Sequence, residues 1–204
     1  MMNDDRFCEL KRMPPLETKR LVLRRMKKTD ARDMFEYACD PCVTKYLLWS
    51  PHESLSHTKK YLAYLEKQYR AGRFFDWAVT EKSTGKMIGT CGFAALFPDD
   101  LRAEIGYVIN PLYWGRGIAP EAVRAVMEFG FFELGLHRIE ARFMEGNDRS
   151  FSVMKKCGMT FEGWLRDHLF VKGEYRTIGI CARINPDHER ERERSCCSES
   201  PLTT

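Results

Sequence analysis

Two periodicities alternate along the chain. Leu21 to Arg24 is a short aliphatic run and reads as a strand. Thr29 then precedes Ala31, Met34, Phe35 and Ala38 at helical spacing. Asp30 and Asp33 fall in the first turn, and Pro41 is expected to close the helix. Val43–His52 reads as a loop. Ser54 or Ser56 can cap a second helix with Tyr61, Leu62, Leu65 and Tyr69 on one face, which Gly72 stops. Three strands follow. Phe75–Glu81 alternates around Trp77 and Val79, Ser83–Lys86 turns, and Met87–Ala95 continues. Pro98–Asp100 turns again, and Ala103–Ile109 is the third. A helix is expected over Pro120–Leu134, with Pro120 at its first position and Gly135 after it. Arg138–Met144 reads as a buried strand and Asn147–Lys156 as a helix stopped by Gly158. Met159–Leu165 and Thr177–Ile184 are two last strands around a loop containing Lys172, Gly173 and Glu174. The order is βααβββαβαββ, an α+β or mixed α/β domain.

The chain's 204 residues, 44% of them hydrophobic, suffice for one domain with a true core. Expected boundaries are an N-terminal extension over 1–15, the folded domain over 16–184, and a charged, disordered tail over 185–204. The tail sets three arginines against five acids, a net −2, which leaves +6 on residues 1–184. That dispersed charge suits one polyanionic small molecule better than a nucleic acid. No apolar run is long enough to span a membrane. The first ten residues carry early acids and no apolar stretch, so no secretory leader is expected and the protein is expected to be cytoplasmic. Its eight cysteines then read as reduced thiols. Cys39 and Cys42 have C-x-x-C spacing, but they follow a helix and lack a second pair, which gives them neither redox nor metal context.

Between a strand and a long helix lies Trp114-Gly115-Arg116-Gly117-Ile118-Ala119-Pro120-Glu121. Glycines that turn backbone N–H groups outward at a helix N-terminus form a phosphate cradle. A P-loop would need a following Lys-Ser or Lys-Thr. A dinucleotide fingerprint would need glycine or alanine where Pro120 stands. A tight strand–helix turn without a ligand is the plainer alternative.

The loop is flanked by Glu104–Ile109, Leu136–Ala141, Asn147–Ser150 and Lys156–Gly163. Together with Glu17–Arg24, these resemble the general N-acetyltransferase (GNAT) superfamily, most closely its RimJ/RimL-like, ribosomal-protein-type branch. The resemblance covers about Leu16–Ile184. It implies a central, mostly antiparallel twisted sheet of about seven strands flanked by four helices, with acetyl-CoA as co-substrate. The family's pyrophosphate loop, R/Q-x-x-G-x-G/A, falls on Trp114, Gly115, Arg116, Gly117, Ile118 and Ala119, with Trp114 in place of Arg or Gln. Val108 and Ile109 would pair their backbone with the pantetheine arm, and an N–H near Val108 would hold the oxyanion. Asn147 would face the arm. Met154 stands where many relatives carry a tyrosine acid, which leaves Ser150 as the group that assists the leaving thiolate.

An amine attacks a thioester only when neutral. An α-amino group is roughly 10–20% neutral at pH 7 and a lysine far below 1%. A general base is therefore needed, and Glu104, opening the strand beside the loop, is the candidate. A solvated strand-end charge is its structural alternative, and a helix-capping serine is that of Ser150. Asp167, His168 and Tyr175 fall near the expected acceptor mouth, and His137 in a helix-to-strand turn. The expected activity is acetyl transfer to a primary amine, foremost a protein N-terminal α-amine. Alternatives are a small amine (polyamine, amino acid or aminoglycoside) or a non-catalytic acyl-CoA-binding module. Neither nucleic acid nor membrane is expected as a partner, and the chain is expected to act as a monomer or homodimer.

Overall fold

The computed structural model describes Leu10 and residues 12–188. The acidic–basic tail beyond His188 lies outside the described residues. One eight-stranded sheet organises the chain: β1 (Leu16–Glu17), β2 (Leu21–Arg24), β3 (Phe75–Glu81), β4 (Met87–Phe97), β5 (Arg102–Ile109), β6 (Arg138–Met144), β7 (Thr160–Val171) and β8 (Glu174–Ile184). Their spatial order is β1-β2-β3-β4-β5-β6-β8-β7. Every neighbouring pair is antiparallel except β5 and β6. The helices are α1 (Ala31–Ala38), α2 (Pro41–Thr44), α3 (Leu55–Arg70), α4 (Ile118–Glu128) and α5 (Asp148–Lys156).

The strand count exceeds the expected seven by β1, two residues too short to show a period of their own. Pro41 closes α1 but also opens α2, because Asp40 caps the new turn by accepting from Cys42 N at 2.7 Å. Ser54 caps α3 by accepting from His57 N at 3.1 Å. The helix after the glycine loop starts two residues before Pro120 and gives way to a π turn over Phe129–Glu133. β7 runs on to Val171, so the expected loop is a tight hairpin at Lys172-Gly173.

Alternation assigns the two sheet faces. Trp77, Cys91 and Tyr107 are register partners across β3, β4 and β5. Trp77 is fully buried and meets Phe129, beyond α4, edge-on at 5.8 Å. α4 and α5 cover this face. Asp76, Gly92 and Gly106 are likewise partners and lie on the opposite face, beneath α1 and α3. The core thus sits on both sides of β3–β5, with Met34, Leu62 and Leu65 on one and Val123, Val126 and Met127 on the other.

β5 and β6 are paired only over Arg102↔Arg138, Ala103↔Ile139 and Glu104↔Glu140. Both strands continue past that point without pairing. The sheet splits there, and a wedge opens whose main-chain groups have no strand partner.

Candidate active site

The wedge and the glycine loop share an origin in β5. Past Asn110, the chain turns through Pro111–Tyr113 into the loop. Gly115 and Gly117 take φ of 74° and 73°, a left-handed conformation open to glycine at little cost. The N–H groups of Gly115 to Ala119 make no well-formed hydrogen bond to protein among the described residues. These five donors lie at the positive end of an eleven-residue helix, with Gly115, Arg116 and Gly117 exposed. Pro120 is the third helical residue and withholds an N–H, but its neighbours leave the cradle intact.

Glu121, in the first turn, would repel an anion. Its carboxylate instead accepts from Thr18 Oγ1 at 2.6 Å, Arg20 N at 3.0 Å and Arg20 Nε at 2.7 Å. Burial alone would push Glu121 up. The hydrogen bonds from Thr18 and Arg20 and the Arg20 charge outweigh it and hold the carboxyl below its usual range. Arg20 Nη1 also donates to Arg116 O at 2.9 Å, and Nη2 lies 3.6 Å from where a Cβ on Gly117 would sit. Arg20 is thus a further candidate for the anion site. Nothing local in the sequence signals it, since it comes from almost one hundred residues upstream.

Trp114 spends its only side-chain donor inside the protein, Nε1 to Ile109 O at 2.7 Å. Arg149 lies over its ring at 4.5 Å. These contacts tie Trp114 to the end of β5 and to α5. Arg116 sends its guanidinium over Tyr113.

The main-chain assignments at the wedge need one correction. Asn110 N donates to Ile88 O on β4, and Leu101 O accepts from Arg138 N, at the start of β6. Alternation therefore turns Val108 toward β4, where Thr90 is its partner. The groups facing the wedge belong to Ile105, Tyr107 and Ile109, with Ile109 O already taken by Trp114. Val108 cannot pair its backbone with a ligand in the wedge while β4 holds it.

Glu104 stands at the apex of the split, as the last paired residue. Its side chain is 21% exposed, and Arg142 Nε lies 3.3 Å from Oε2. No protein hydrogen bond reaches this carboxylate among the described residues. Burial, with Glu140 in support, raises its pKa above the usual carboxylate range against the pull of Arg142 and Arg102. Glu140, on the same face, is nearly sealed and is met by Arg102, Arg138 and Arg142 at 2.9–3.3 Å. This network anchors the arginine beside Glu104. The alternation of Arg138, Glu140 and Arg142 could have revealed it in the sequence.

Ser150 comes from the other face. Its Oγ is 2.8 Å from the Tyr107 hydroxyl, which also lies 3.0 Å from Ser150 O. Burial, chiefly, raises the Tyr107 phenol well above its ordinary pKa, so it remains a proton-bearing group. Asn147, not Ser150, is the cap of α5: Asn147 Oδ1 accepts from Ser150 N at 3.3 Å. Asn147 thus commits one side-chain atom to the helix, and the Ser150 hydroxyl is spared that duty. Met154 is packed in the core at 1% exposure.

Other candidates disperse. Asp167 and His168 are exposed on β7. His137 pairs its ring with His188 at 2.9 Å. Tyr175 stacks edge-on to Phe170 at the hairpin tip, whose Lys172 reaches Thr44 O at 2.5 Å and ties the hairpin to α2. Cys39 and Cys42 are free thiols.

The chain matches known proteins in sequence and fold. The acetyltransferase (GNAT) domain model matches residues 20–160. An uncharacterized N-acetyltransferase p20 of Bacillus licheniformis is 36% identical over 161 residues, covering 79% of this chain and 90% of its own. The ribosomal protein uS5-alanine N-acetyltransferase of Escherichia coli is 26% identical over 180 residues, covering 84% and 91%. A GNAT-family acetyltransferase structure from Bacillus anthracis superposes with a TM-score of 0.76 at 27% identity, covering 84% of this chain and 99% of its own. The chain belongs to the GNAT acetyltransferase family, and it is an N-acetyltransferase of that type. Enzymes of this family use acetyl-CoA. No helix among the described residues is long and apolar enough to cross a membrane.

Proposed function

We propose that this enzyme transfers the acetyl group of acetyl-CoA to a primary amine, foremost the α-amine at a protein N-terminus. One observation carries the reading: at the apex of the split sheet stands a carboxylate, Glu104, ion-paired with Arg142 but reached by no protein hydrogen bond among the described residues. Gly115, Arg116, Gly117, Ile118 and Ala119 would hold the pyrophosphate, helped by Arg20 and braced by Trp114. Ile109, Tyr107 and Asn147 would line the path of the pantetheine arm. Bound acetyl-CoA supplies an activated thioester.

Glu104 accepts the proton that the attacking nitrogen must lose, directly or through water. Its raised affinity for a proton makes it a better base than an ordinary surface glutamate. The Arg142 charge favours its ionised form. Ser150, on the opposite face of the sheet, hydrogen-bonds the departing sulfur, and Tyr107 fixes the direction of that hydroxyl. A thiol with a pKa near 8.5 leaves readily, so this assistance is the smaller contribution. The likeness to the uS5-alanine enzyme supports an N-terminal acceptor. A buried carboxyl on the acceptor face, Asp76, favours a second reading, a small amine carrying more than one positive charge. Retention of both Glu104 and Ser150 speaks against a merely acyl-CoA-binding module.

The test is mass spectrometry of an N-terminal peptide library incubated with enzyme and acetyl-CoA. Acetylation confined to α-amines is expected. Unmodified peptides beside acetylated small amines would replace the first acceptor with the second.

A further inference from the structure

The Glu104 face of the sheet carries an unusual bare strip. Glu104 and Gly106 follow each other on that face of β5, Gly92 is the partner of Gly106, and Asp76 is the partner of Gly92. Two glycines therefore separate two carboxylates. With strands about 4.8 Å apart and residues about 3.4 Å apart along them, the Cα atoms of Glu104 and Asp76 are on the order of 12 Å apart. The strip is open at Gly106, where a Cβ would meet only Ala94 Cβ at 3.6 Å. Gly92 is buried, and a Cβ there would meet the β3 main chain, Asp76 Cα and Phe75 O at 2.3 Å, and Asp76 Oδ1 at 2.9 Å. Asp76 Oδ1 thus lies close against Gly92.

Among the described residues, Asp76 Oδ1 is buried and has no hydrogen-bond partner, and the same holds for the hydroxyl of Tyr37. Both belong to one cluster under α1 and α3, since the Asp76 charge reaches Tyr37, Tyr61 and Tyr69. Tyr69 donates to the main-chain carbonyl of Asp76 at 2.5 Å, which fixes the backbone, while the Thr90 hydroxyl and the Trp77 amide serve the carboxyl and leave Oδ1 without a partner. Burial raises the Asp76 carboxyl to about 7, with Thr90 and the Trp77 amide opposing the rise. A buried carboxylate with one oxygen left unpartnered is costly, and the cost is reduced by a cation brought to it.

We propose that Asp76 is a specificity-determining residue that receives a second cationic group of the acceptor, at the far end of the glycine strip from Glu104. This rests on the acetyltransfer reading above and deepens it. The reacting nitrogen sits at Glu104, the carbon chain crosses Gly106 and Gly92, and the second cation pairs with Asp76 Oδ1 beside the Tyr37 hydroxyl. A diamine supplies that cation, and so does a basic side chain near a peptide N-terminus.

The experiment compares kcat/KM for 1,4-diaminobutane and 1-aminobutane, and for peptides beginning Ala-Lys and Ala-Leu, in wild type, Asp76→Asn and Gly106→Ala. Wild type should prefer the dicationic member of at least one pair by tenfold or more, and the pair that shows it identifies the source of the cation. Asp76→Asn should reduce that preference to about one, through KM, with 1-aminobutane turnover unchanged. Gly106→Ala fills the strip without touching Asp76 and should also lose the preference. Calorimetry of 1,4-diaminobutane and the Ala-Lys peptide with the CoA-loaded protein reads the same site without turnover. No preference in wild type, or a preference that survives both substitutions, would overturn the assignment. If no amine is acetylated although acetyl-CoA binds, the acetyltransfer reading fails. Calorimetry then decides on Asp76 alone, by whether Asp76→Asn weakens binding at least tenfold.

Discussion

The two ends of the active cleft are built in opposite ways. The proposed anion-binding end is one contiguous stretch, Gly115 to Ala119, whose donors would be main-chain N–H groups. The acceptor end is assembled from side chains on α1, α3, β3, β5 and β6, none adjacent in sequence. The first end depends on backbone conformation, so a few glycines and a helix start announce it. The second depends on which residues the sheet register brings to one face. A backbone site tolerates changes of side chain but not of φ. A side-chain site behaves the other way round.

The sharpest break in that comparison is Gly117→Glu. Any side chain there is strained at φ 73°, and a carboxylate adds an anion where one must bind. CoA affinity measured by calorimetry should fall by more than a hundredfold. Wild-type affinity would show that the loop is only a turn.

Asp76→Asn probes the other end through stability. Because the folded protein raises this carboxyl from 3.8 to about 7, the native state holds a proton that the unfolded chain releases. Stability is therefore full below the ordinary carboxylate range and falls as pH rises, until the native group has itself ionised near 7. The slope is at most about 1.4 kcal/mol per pH unit. Asp76→Asn should flatten this part of the profile in urea titrations from pH 4 to 8. An unchanged slope would mean that Asp76 is not the group being titrated.

A smaller effect is expected from Ser150→Ala. Turnover should drop by about tenfold, since a thiolate leaves readily, with little dependence on pH. The Asn147 cap remains, so the melting temperature should hold. A loss as large as that caused by removing a general base would promote the serine and Tyr107 to a larger role.

The legibility of the sequence follows the same divide. The strands from Phe75 to Ile109 could be placed because their alternation and turn residues are local. β1 could not, since two residues have no period. Gly115, Gly117 and Trp114 were visible as a loop, and Glu104 as its neighbour in the chain. Tyr107 was in view but carried no sign of its contact, because Ser150 arrives 43 residues later, on α5. Arg20 and Asp76 were hidden for the same reason. Val108 was misassigned by one residue, which in a strand is the difference between facing β4 and facing the wedge.

The central claim is that Glu104 removes the amine proton at the apex of the split sheet. The pH–rate profile of Glu104→Gln with one primary amine, against wild type, tests it most directly. At pH 7 kcat should fall by on the order of 10²–10⁴, with acetyl-CoA binding intact. The deficit should shrink as pH rises and the amine deprotonates by itself. Near wild-type turnover for Glu104→Gln at pH 7, or a deficit constant across the profile, would contradict the account and remove Glu104 as the base.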